Sequence, residues 1–261
     1  MTYGFIGCGN MGSAIAKALS KSTLDIMISD RSGKAKTLAA ELGCAYADAQ
    51  TVAEQCDRIF LAVKPQMMAS VLQPLQTVLQ KRKPLLITMA AGLTIERIEQ
   101  MCATTLPVIR IMPNTPVCVG CGMTQYCANA LVTAQEIHDF LADMRFTGKL
   151  VQLEENLINA ASALSGSGPA YMYMFIEALS DGAAAWGIPK DTAIEFAAVT
   201  MAGAAEMVLK TGQQPGALKD AVCSPGGSTI EGLKVLESNG FREAVIGCVN
   251  AACKRNLELG K

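Results

Sequence analysis

Histidine is nearly absent from this chain of 261 residues, which has only His138. A histidine base or a Ser-His-Asp triad would depend on that residue, and no pattern of carboxylate and nucleophile surrounds it. Aromatic residues are scarce at 5%, although apolar residues reach 51%. If such a chain is an enzyme, a hydroxyl group, a lysine, a carboxylate or water must move the protons.

The chain also lacks a basic block and a long uncharged apolar run. Its net charge is −1, from 22 basic and 23 acidic residues, so nucleic acid is not expected as a partner. Residues 170–187 are a rich apolar stretch, but they contain Glu177 and Asp181. We expect no membrane span and no signal peptide, because the N-terminus lacks a basic region and a cleavage site. These features predict a cytoplasmic protein.

Patterns for metal binding and for disulfides are missing as well. The 10 cysteines are scattered, and only Cys118 and Cys121 have C-x-x-C spacing. No second pair follows at the spacing of a zinc site. We therefore expect no metal, and reduced thiols that pack as small apolar groups.

A glycine-rich turn near the N-terminus is the most informative motif. Gly7, Gly9 and Gly12 have G-x-G-x-x-G spacing, between the apolar segment 3–6 and a helix-forming segment. In this context Gly7 permits a tight turn, Gly9 lets a pyrophosphate approach the backbone, and Gly12 allows close packing of helix on strand. The N–H groups at the start of the helix would bind the diphosphate of a dinucleotide.

Strands and helices alternate along residues 1–152, and the remaining chain shows no strand pattern. The alternation predicts an α/β fold with an N-terminal Rossmann-like, doubly wound parallel sheet that binds a dinucleotide. Residues 123–126 and 149–152 are expected to add edge strands, and residues 67–79 to form one helix. Residues 153–261 are predicted to form an all-α domain. Its helices are apolar on several faces, so we expect it to mediate dimerisation.

Two residues after the second predicted strand bear on cofactor preference. Asp30 and Arg31 follow Gly12 at the usual distance for the residue that reads the ribose. An acid there favours the 2′-OH of NAD, whereas Arg31 and Ser32 favour the 2′-phosphate of NADP. We interpret Arg31 as the phosphate ligand and Asp30 as the cap of the next turn. The pattern favours NADPH, with NADH as the alternative.

Other segments follow predicted strands at the carboxyl edge of the sheet, where open α/β folds bind ligands. Pro65 ends the fourth strand, and Lys64 beside it can meet a charge on cofactor or substrate. Ala90 and Ala91 are small enough for a nicotinamide to lie against their backbone. Residues 110–116 contain two prolines and predict a rigid loop.

A second glycine-rich segment precedes a helix in the C-terminal half. Ser224 and two glycines lead into Ser228, and Ser228 with Glu231 has the spacing of a capping box. Backbone N–H groups and hydroxyls at such a helix start form an anion site, and a substrate carboxylate is the expected occupant. Residues 165–169 predict a similar approach to a helix whose first residue is Pro169.

Together the motifs resemble those of pyrroline-5-carboxylate reductase over residues 3–258. In chain order they are the fingerprint, Ala-Val-Lys-Pro-Gln, Ala-Ala-Gly, Met-Pro-Asn-Thr-Pro, Leu-Ser-Gly-Ser-Gly-Pro-Ala-Tyr and Ser-Pro-Gly-Gly-Ser-Thr. The resemblance implies NAD(P)H-dependent reduction of 1-pyrroline-5-carboxylate to L-proline, the last step of proline biosynthesis. It also implies a helical dimerisation domain, with the homodimers often assembled into a decamer.

The resemblance further implies the residues of the site. The cofactor would contact Ile6, Gly7, Cys8, Gly9, Asn10, Met11, Asp30, Arg31, Ala62, Val63, Lys64, Pro65, Ala90 and Ala91. The substrate carboxylate would bind Ser224 and the backbone of Gly227, Ser228 and Thr229. Thr229 would be the catalytic residue that meets the ring nitrogen.

Two departures from the family pattern concern the cofactor. Many relatives have asparagine at the position of Asp30, which leaves the cofactor preference open. An asparagine that is common in the family is replaced by Ala49, so one ribose contact would be missing. The chemistry itself agrees with the composition, because a protonated imine is already a good electrophile and needs little acid–base assistance from the protein.

Two other functions remain open at the level of the sequence. A β-hydroxyacid dehydrogenase shares the layout but relies on a lysine of its helical domain. Candidate lysines exist outside any glycine-rich setting, at positions Lys190, Lys210, Lys219 and Lys234. A redox-sensing module that binds NADP and signals through a partner would have no carboxylate site.

Overall fold

A computed structural model describes residues 1–22 and 25–259. The described chain forms two compact units, residues 1–167 with residues from 252 onward, and residues 168–251. An eight-stranded sheet is the centre of the first unit. Its strands are β1 (Thr2–Ile6), β2 (Asp25–Ser29), β3 (Ala45–Tyr46), β4 (Arg58–Leu61), β5 (Leu85–Thr88), β6 (Val108–Met112), β7 (Gly122–Ala128) and β8 (Gly148–Gln152).

The strand order is β3-β2-β1-β4-β5-β6-β7-β8. Strands β1 to β6 are mutually parallel, and β7 is antiparallel to β6. The first six strands therefore have the order of a doubly wound dinucleotide-binding sheet, which confirms the predicted fold class. The order reverses between β1 and β4, so the ligand crevice of such a fold lies at their carboxyl ends.

Helices cover both faces of this sheet. They are α1 (Asn10–Leu19), α2 (Gly33–Leu42), α3 (Ala49–Gln55), α4 (Met68–Leu72), α5 (Gln76–Arg82), α6 (Ile95–Cys102), α7 (Ala134–Asp143) and α8 (Ile158–Ser165). Two buried clusters result. Along β4 the side chains alternate between them, with Ile59 and Leu61 in one and Phe60 in the other.

Two details differ from the sequence prediction. Residues 67–79 do not form one helix, because Pro74 lies in a 3₁₀ turn between α4 and α5 and has no N–H to continue the α-helical pattern. Strand β7 is not an edge strand, because it pairs with β6 on one side and with β8 on the other. Strand β8 forms that edge of the sheet.

The second unit is helical throughout, and no strand occurs in the described residues after 153. Its helices are α9 (Gly168–Ala184), α10 (Lys190–Thr211), α11 (Pro215–Val222), α12 (Ser228–Ser238) and α13 (Phe241–Leu259), the last of which continues into the first unit. The predicted all-α C-terminal half is confirmed. The predicted domain boundary after residue 152 stays a prediction. In the structure, α8 groups with the first compact unit.

Very little of the second unit is buried in the single chain. Among residues 168–251 only Ser180, Ala193 and Ala197 are buried. Large apolar side chains are instead exposed, with Trp186 at 92% and Met174 at 74%. Helix α10 is also long and apolar enough to cross a membrane, but length and composition alone are weak support for a span. The expected absence of a membrane span stays a prediction.

Candidate cofactor and substrate site

The three glycines between β1 and α1 have different surroundings. Gly7 has φ +97°, and a Cβ there would lie 2.7 Å from the backbone of Ala62. A Cβ on Gly12 would lie 2.7 Å from the carbonyl oxygen of Gly7. Apart from chain neighbours, no atom lies within 4 Å of the corresponding position on Gly9. The turn is thus tightly packed at its two ends and open in the middle, where a ligand can approach the backbone.

The start of α1 is suited to an anion. Its N-cap is Gly9, and no side chain of the described chain caps it. The preceding turn is closed by Ser13, whose hydroxyl donates to the carbonyl of Cys8 over 2.8 Å. The first N–H groups of α1 have no partner within the helix, so they can bind phosphate oxygens. These features fit the diphosphate of a dinucleotide.

Asp30 joins the end of β2 to the glycine turn and to α2. Its carboxylate accepts the backbone N–H groups of Cys8 and Ser32, each over 2.6 Å. Partial burial opposes ionisation of Asp30, but the two N–H groups, the Ser32 hydroxyl and the charge of Arg31 together lower the pKa of the carboxyl below its usual value. The bond to Ser32 is the turn cap that we expected of Asp30, and Arg31 beside it is exposed.

The shift predicts how stability depends on pH. The pKa of Asp30 is lower in the folded protein than in the unfolded chain, where it is about 3.9. Above that pH the ionised carboxylate contributes its full stabilisation to the fold. The contribution is lost as pH falls through the pKa of the folded protein. Asp30→Asn, which cannot accept both N–H groups, should therefore lower Tm at pH 7. The difference in Tm between the variant and the unmodified protein should become smaller below about pH 4. Thermal unfolding of both proteins between pH 7 and 2 checks this. A constant Tm difference would contradict it.

A cleft of about 960 Å³ lies at the carboxyl ends of β1, β2 and β4. It brings together eight of the predicted cofactor residues, namely Ile6, Gly7, Gly9, Asp30, Arg31, Ala62, Val63 and Lys64. It also has walls that the sequence analysis did not assign, including Tyr46, Ala47, Asp48, Gln50 and Met67. These residues follow β3 or β4 at the same edge, so the carboxyl-edge rule applied to every strand would have found them.

The remaining predicted cofactor residues are distributed around this cleft. Cys8 and Asn10 line a second cavity of about 880 Å³, which Gly9 and Asp30 also line. Burial raises the pKa of the Cys8 thiol to about 12, so it packs there as a neutral group. Four residues line neither cavity, namely Met11, Pro65, Ala90 and Ala91.

The second glycine-rich segment leads directly into α12. The helix begins at Ser228, so its N-cap is Gly227 and no described side chain caps it. The predicted capping box is wrong, because Ser228 already has helical backbone geometry and Glu231 pairs with Lys234 over 2.7 Å. The helix start therefore keeps uncapped N–H groups for an anion.

The four predicted substrate residues lie in this one turn. The N–H of Gly227 donates to the carbonyl of Ser224 over 3.0 Å. A Cβ on Gly227 would lie 2.4 Å from Oγ of Ser224, so a side chain there would displace that hydroxyl. Ser224, Ser228 and Thr229 are exposed. The turn thus presents three hydroxyls at a helix N-terminus.

Residues 165–169 differ from the prediction. The N–H groups of Gly166 and Ser167 both donate to the carbonyl of Ser162, over 2.8 and 3.2 Å, so the chain stays helical between α8 and α9. The following helix begins at Gly168 rather than at Pro169. The rigid loop after β6 is held to this segment, since Asn114 donates to the carbonyl of Ser165 over 3.0 Å.

Other candidate catalytic groups are engaged elsewhere. The side chain of His138 is 77% exposed on α7 and lies 3.5 Å from Asp139. The four candidate lysines each pair with a carboxylate, as Lys190–Asp181, Lys210–Glu206, Lys219–Asp220 and Lys234–Glu231. The described residues contain no cluster of three metal-binding side chains. That the 224–229 turn supplies the catalytic hydroxyl stays a prediction.

Comparisons with known proteins decide the family. A family model described as pyrroline-5-carboxylate reductase dimerisation matches residues 155–259, and one described as NADP oxidoreductase, coenzyme F420-dependent, matches residues 2–92. Pyrroline-5-carboxylate reductase of Escherichia coli (strain K12) is 42% identical over 264 residues, covering 99% of this chain and 98% of that protein. The chain belongs to the pyrroline-5-carboxylate reductase family.

Solved structures of this reductase family agree along the whole chain. Pyrroline carboxylate reductase of Plasmodium falciparum with NADP bound has a TM-score of 0.90 at 33% identity, covering 100% of this chain and 98% of that one. The reductase of Coxiella burnetii has a TM-score of 0.91 at 36% identity, covering 99% and 98%. The family resemblance inferred from the motifs is confirmed, and neither alternative function gains support.

Proposed function

We propose that this protein is a cytoplasmic enzyme that reduces 1-pyrroline-5-carboxylate to L-proline with NADPH. The observation that carries the proposal is the packing of the glycine turn. A Cβ on Gly7 or Gly12 would clash with neighbouring backbone, whereas the space beside Gly9, at the uncapped start of α1, is open. Only a ligand that approaches the backbone closely, such as a diphosphate, makes use of that difference. Relatives named for this reduction support the choice of substrate.

The bound dinucleotide supplies a hydride for the imine carbon. The N–H groups at the start of α1 would hold its diphosphate, and Arg31, which lines the cleft, would bind the 2′-phosphate. Because Asp30 already accepts two backbone N–H groups, its carboxylate is less suited to read a ribose 2′-OH. This engagement favours NADPH, and NADH is the weaker alternative.

The turn at 224–229 binds the substrate carboxylate. The hydroxyl of Ser224 and the N–H groups of Ser228 and Thr229 surround the anion at the positive end of α12. The N–H of Gly227 does not take part, because it donates to the carbonyl of Ser224. The Thr229 hydroxyl then meets the ring nitrogen and either donates a proton or orients the ring. Catalysis is mainly a matter of positioning, because a protonated imine accepts hydride readily.

The test is NADPH oxidation by the purified protein with and without 1-pyrroline-5-carboxylate, together with detection of proline. Oxidation that requires the imino acid and yields proline supports the proposal. A redox sensor would show NADPH binding without turnover and no thermal protection by proline. A β-hydroxyacid dehydrogenase would oxidise or reduce hydroxy acids and their ketones instead.

Arg31→Ala should weaken NADPH binding much more than NADH binding. A charge-assisted contact with a phosphate contributes roughly 1.5–3 kcal/mol, about 10- to 150-fold in Kd. NADH has no phosphate at this position and should be nearly unaffected. Calorimetric titration of both cofactors checks this. Equal losses would show that Arg31 is structural and that Asp30 reads the ribose.

The helical half should form a homodimer. Only three of residues 168–251 are buried in the single chain, which is too little core for a stable helical unit. A partner chain that covers its apolar faces supplies the missing burial. Light scattering at micromolar concentration should give twice the chain mass of 27.5 kDa, or ten times for an assembly of five dimers. A monomer would contradict the proposal.

A further inference from the structure

An ion pair between the buried Arg110 and the partly exposed Glu155 joins the centre of β6 to the segment before α8. Arg110 is 1% exposed, and its Nη1 donates to Oε1 of Glu155 over 3.0 Å. Its Nη2 donates to Oδ1 of Asn159 over 3.3 Å. Its Nε is buried and has no partner among the described residues. A guanidinium so incompletely bonded depends strongly on Glu155.

The same oxygen of Glu155 also holds the start of α6. It accepts the N–H of Ile95, the first residue of α6, over 2.8 Å. A carboxylate at this end of a helix is favoured by the helix dipole. The hydroxyl of Thr94 accepts the N–H of Arg97 over 3.2 Å and closes the helix from the other side. The start of α6 is therefore fixed by a charge that Arg110 itself holds in place.

The turn between β5 and α6 contains Ala90 and Ala91, the residues expected at the nicotinamide. Its first end is the carboxyl end of β5, where Thr88 lies opposite Arg110 in the sheet register. Its second end is the start of α6, which Glu155 holds. The ion pair thus links the two ends of this turn.

We propose that Arg110 and Glu155 are positioning residues that set the turn at 90–91 against the nicotinamide. The inference rests on the proposed function, because it takes this turn to be the wall of the nicotinamide site. Arg110 is buried and neither residue lines the two cavities beside the glycine turn, so both would act through the 90–91 turn. The adenine end of the cleft is built by β1, β2 and the glycine turn, so a change at Glu155 leaves it in place. Displacement of a reacting group by ~1 Å can cost ~10²-fold in rate.

The test compares Glu155→Gln with Glu154→Gln, a change at the exposed neighbour. Two ligands are titrated by calorimetry, NADPH and adenosine 2′,5′-bisphosphate, which has the adenine and the 2′-phosphate but no nicotinamide. Glu155→Gln should raise the Kd of NADPH about 10-fold, the effect of losing one positioned contact, and leave that of the bisphosphate within about twofold. Glu154→Gln should change neither.

Equal weakening of both ligands by Glu155→Gln would overturn the positioning role, and so would unchanged binding of NADPH. If Glu155→Gln does not fold, Arg110→Lys is measured, since lysine keeps the charge but loses the forked geometry. The same split between the two ligands is expected. The failure of the proposed function has a separate signature, because the unmodified protein would then not reduce 1-pyrroline-5-carboxylate.

Discussion

Replacement of Thr229 by valine should lower turnover by ~10²–10⁴-fold, the range for a positioned proton donor, and leave NADPH affinity almost unchanged. Valine keeps the shape of threonine and removes only the hydroxyl. Thr229 is the second residue of α12, so the fold does not depend on its hydroxyl. Steady-state kinetics at two pH values, with NADPH titration, measures both quantities. At low pH the substrate is already an iminium, so a hydroxyl that only orients the ring gives a smaller loss.

Ser224→Ala is the matched control in the same turn. It should mainly raise the KM for 1-pyrroline-5-carboxylate, because the carboxylate is bound alike in ground and transition states. Turnover of Thr229→Val at the rate of the unmodified protein would remove Thr229 from the site. The turn would then be a plain helix start.

Alanine at Gly9 should abolish most cofactor binding without loss of stability. The Cβ would enter open space, and the backbone of Gly9 has φ −66°, which alanine adopts freely. The methyl group would, however, stand where the diphosphate approaches. Loss of two charge-assisted contacts, at roughly 1.5–3 kcal/mol each, should raise the Kd at least ~100-fold. Calorimetric titration of NADPH and a thermal unfolding curve check the two halves of this prediction.

Gly7→Ala is the control with the opposite pattern. Its φ of +97° and its 2.7 Å approach to the backbone of Ala62 both oppose a side chain. Strained backbone costs roughly 1–2 kcal/mol, and overpacking roughly 1–3 kcal/mol, so Tm should fall clearly. If Gly9→Ala destabilised the protein as much as Gly7→Ala does, the open middle of the turn would have no special relation to a ligand.

Much of this fold could be read from local sequence. Helix α2 ends at Leu42, directly before the left-handed Gly43, and the predicted alternation of strands and helices is followed by the predicted helical half. A glycine that ends a helix and a regular alternation of strands with helices are both local signals. The glycine turn was found for the same reason, because its spacing and its place between strand and helix are both local.

What the sequence did not reveal depends on distant partners. The capping box at Ser228 has the right spacing, but the helix starts one residue earlier, which spacing alone does not disclose. The role of Glu155 was not recognised, because its partners Arg110 and Ile95 are 45 and 60 residues away. Tyr46 at the cleft was missed, although its position at the carboxyl end of β3 was a usable signal.

The sparse core of residues 168–251 has a consequence for how the enzyme forms. The proposed substrate turn belongs to a unit that buries little of itself, whereas the proposed dinucleotide turn belongs to a unit with its own core. If a partner chain supplies the missing burial, as we propose, the two units form in different ways. Folding of the substrate half is then a bimolecular event, and its yield depends on protein concentration. On refolding from denaturant, recovery of NADPH binding should be first-order, and recovery of proline formation second-order in chain concentration.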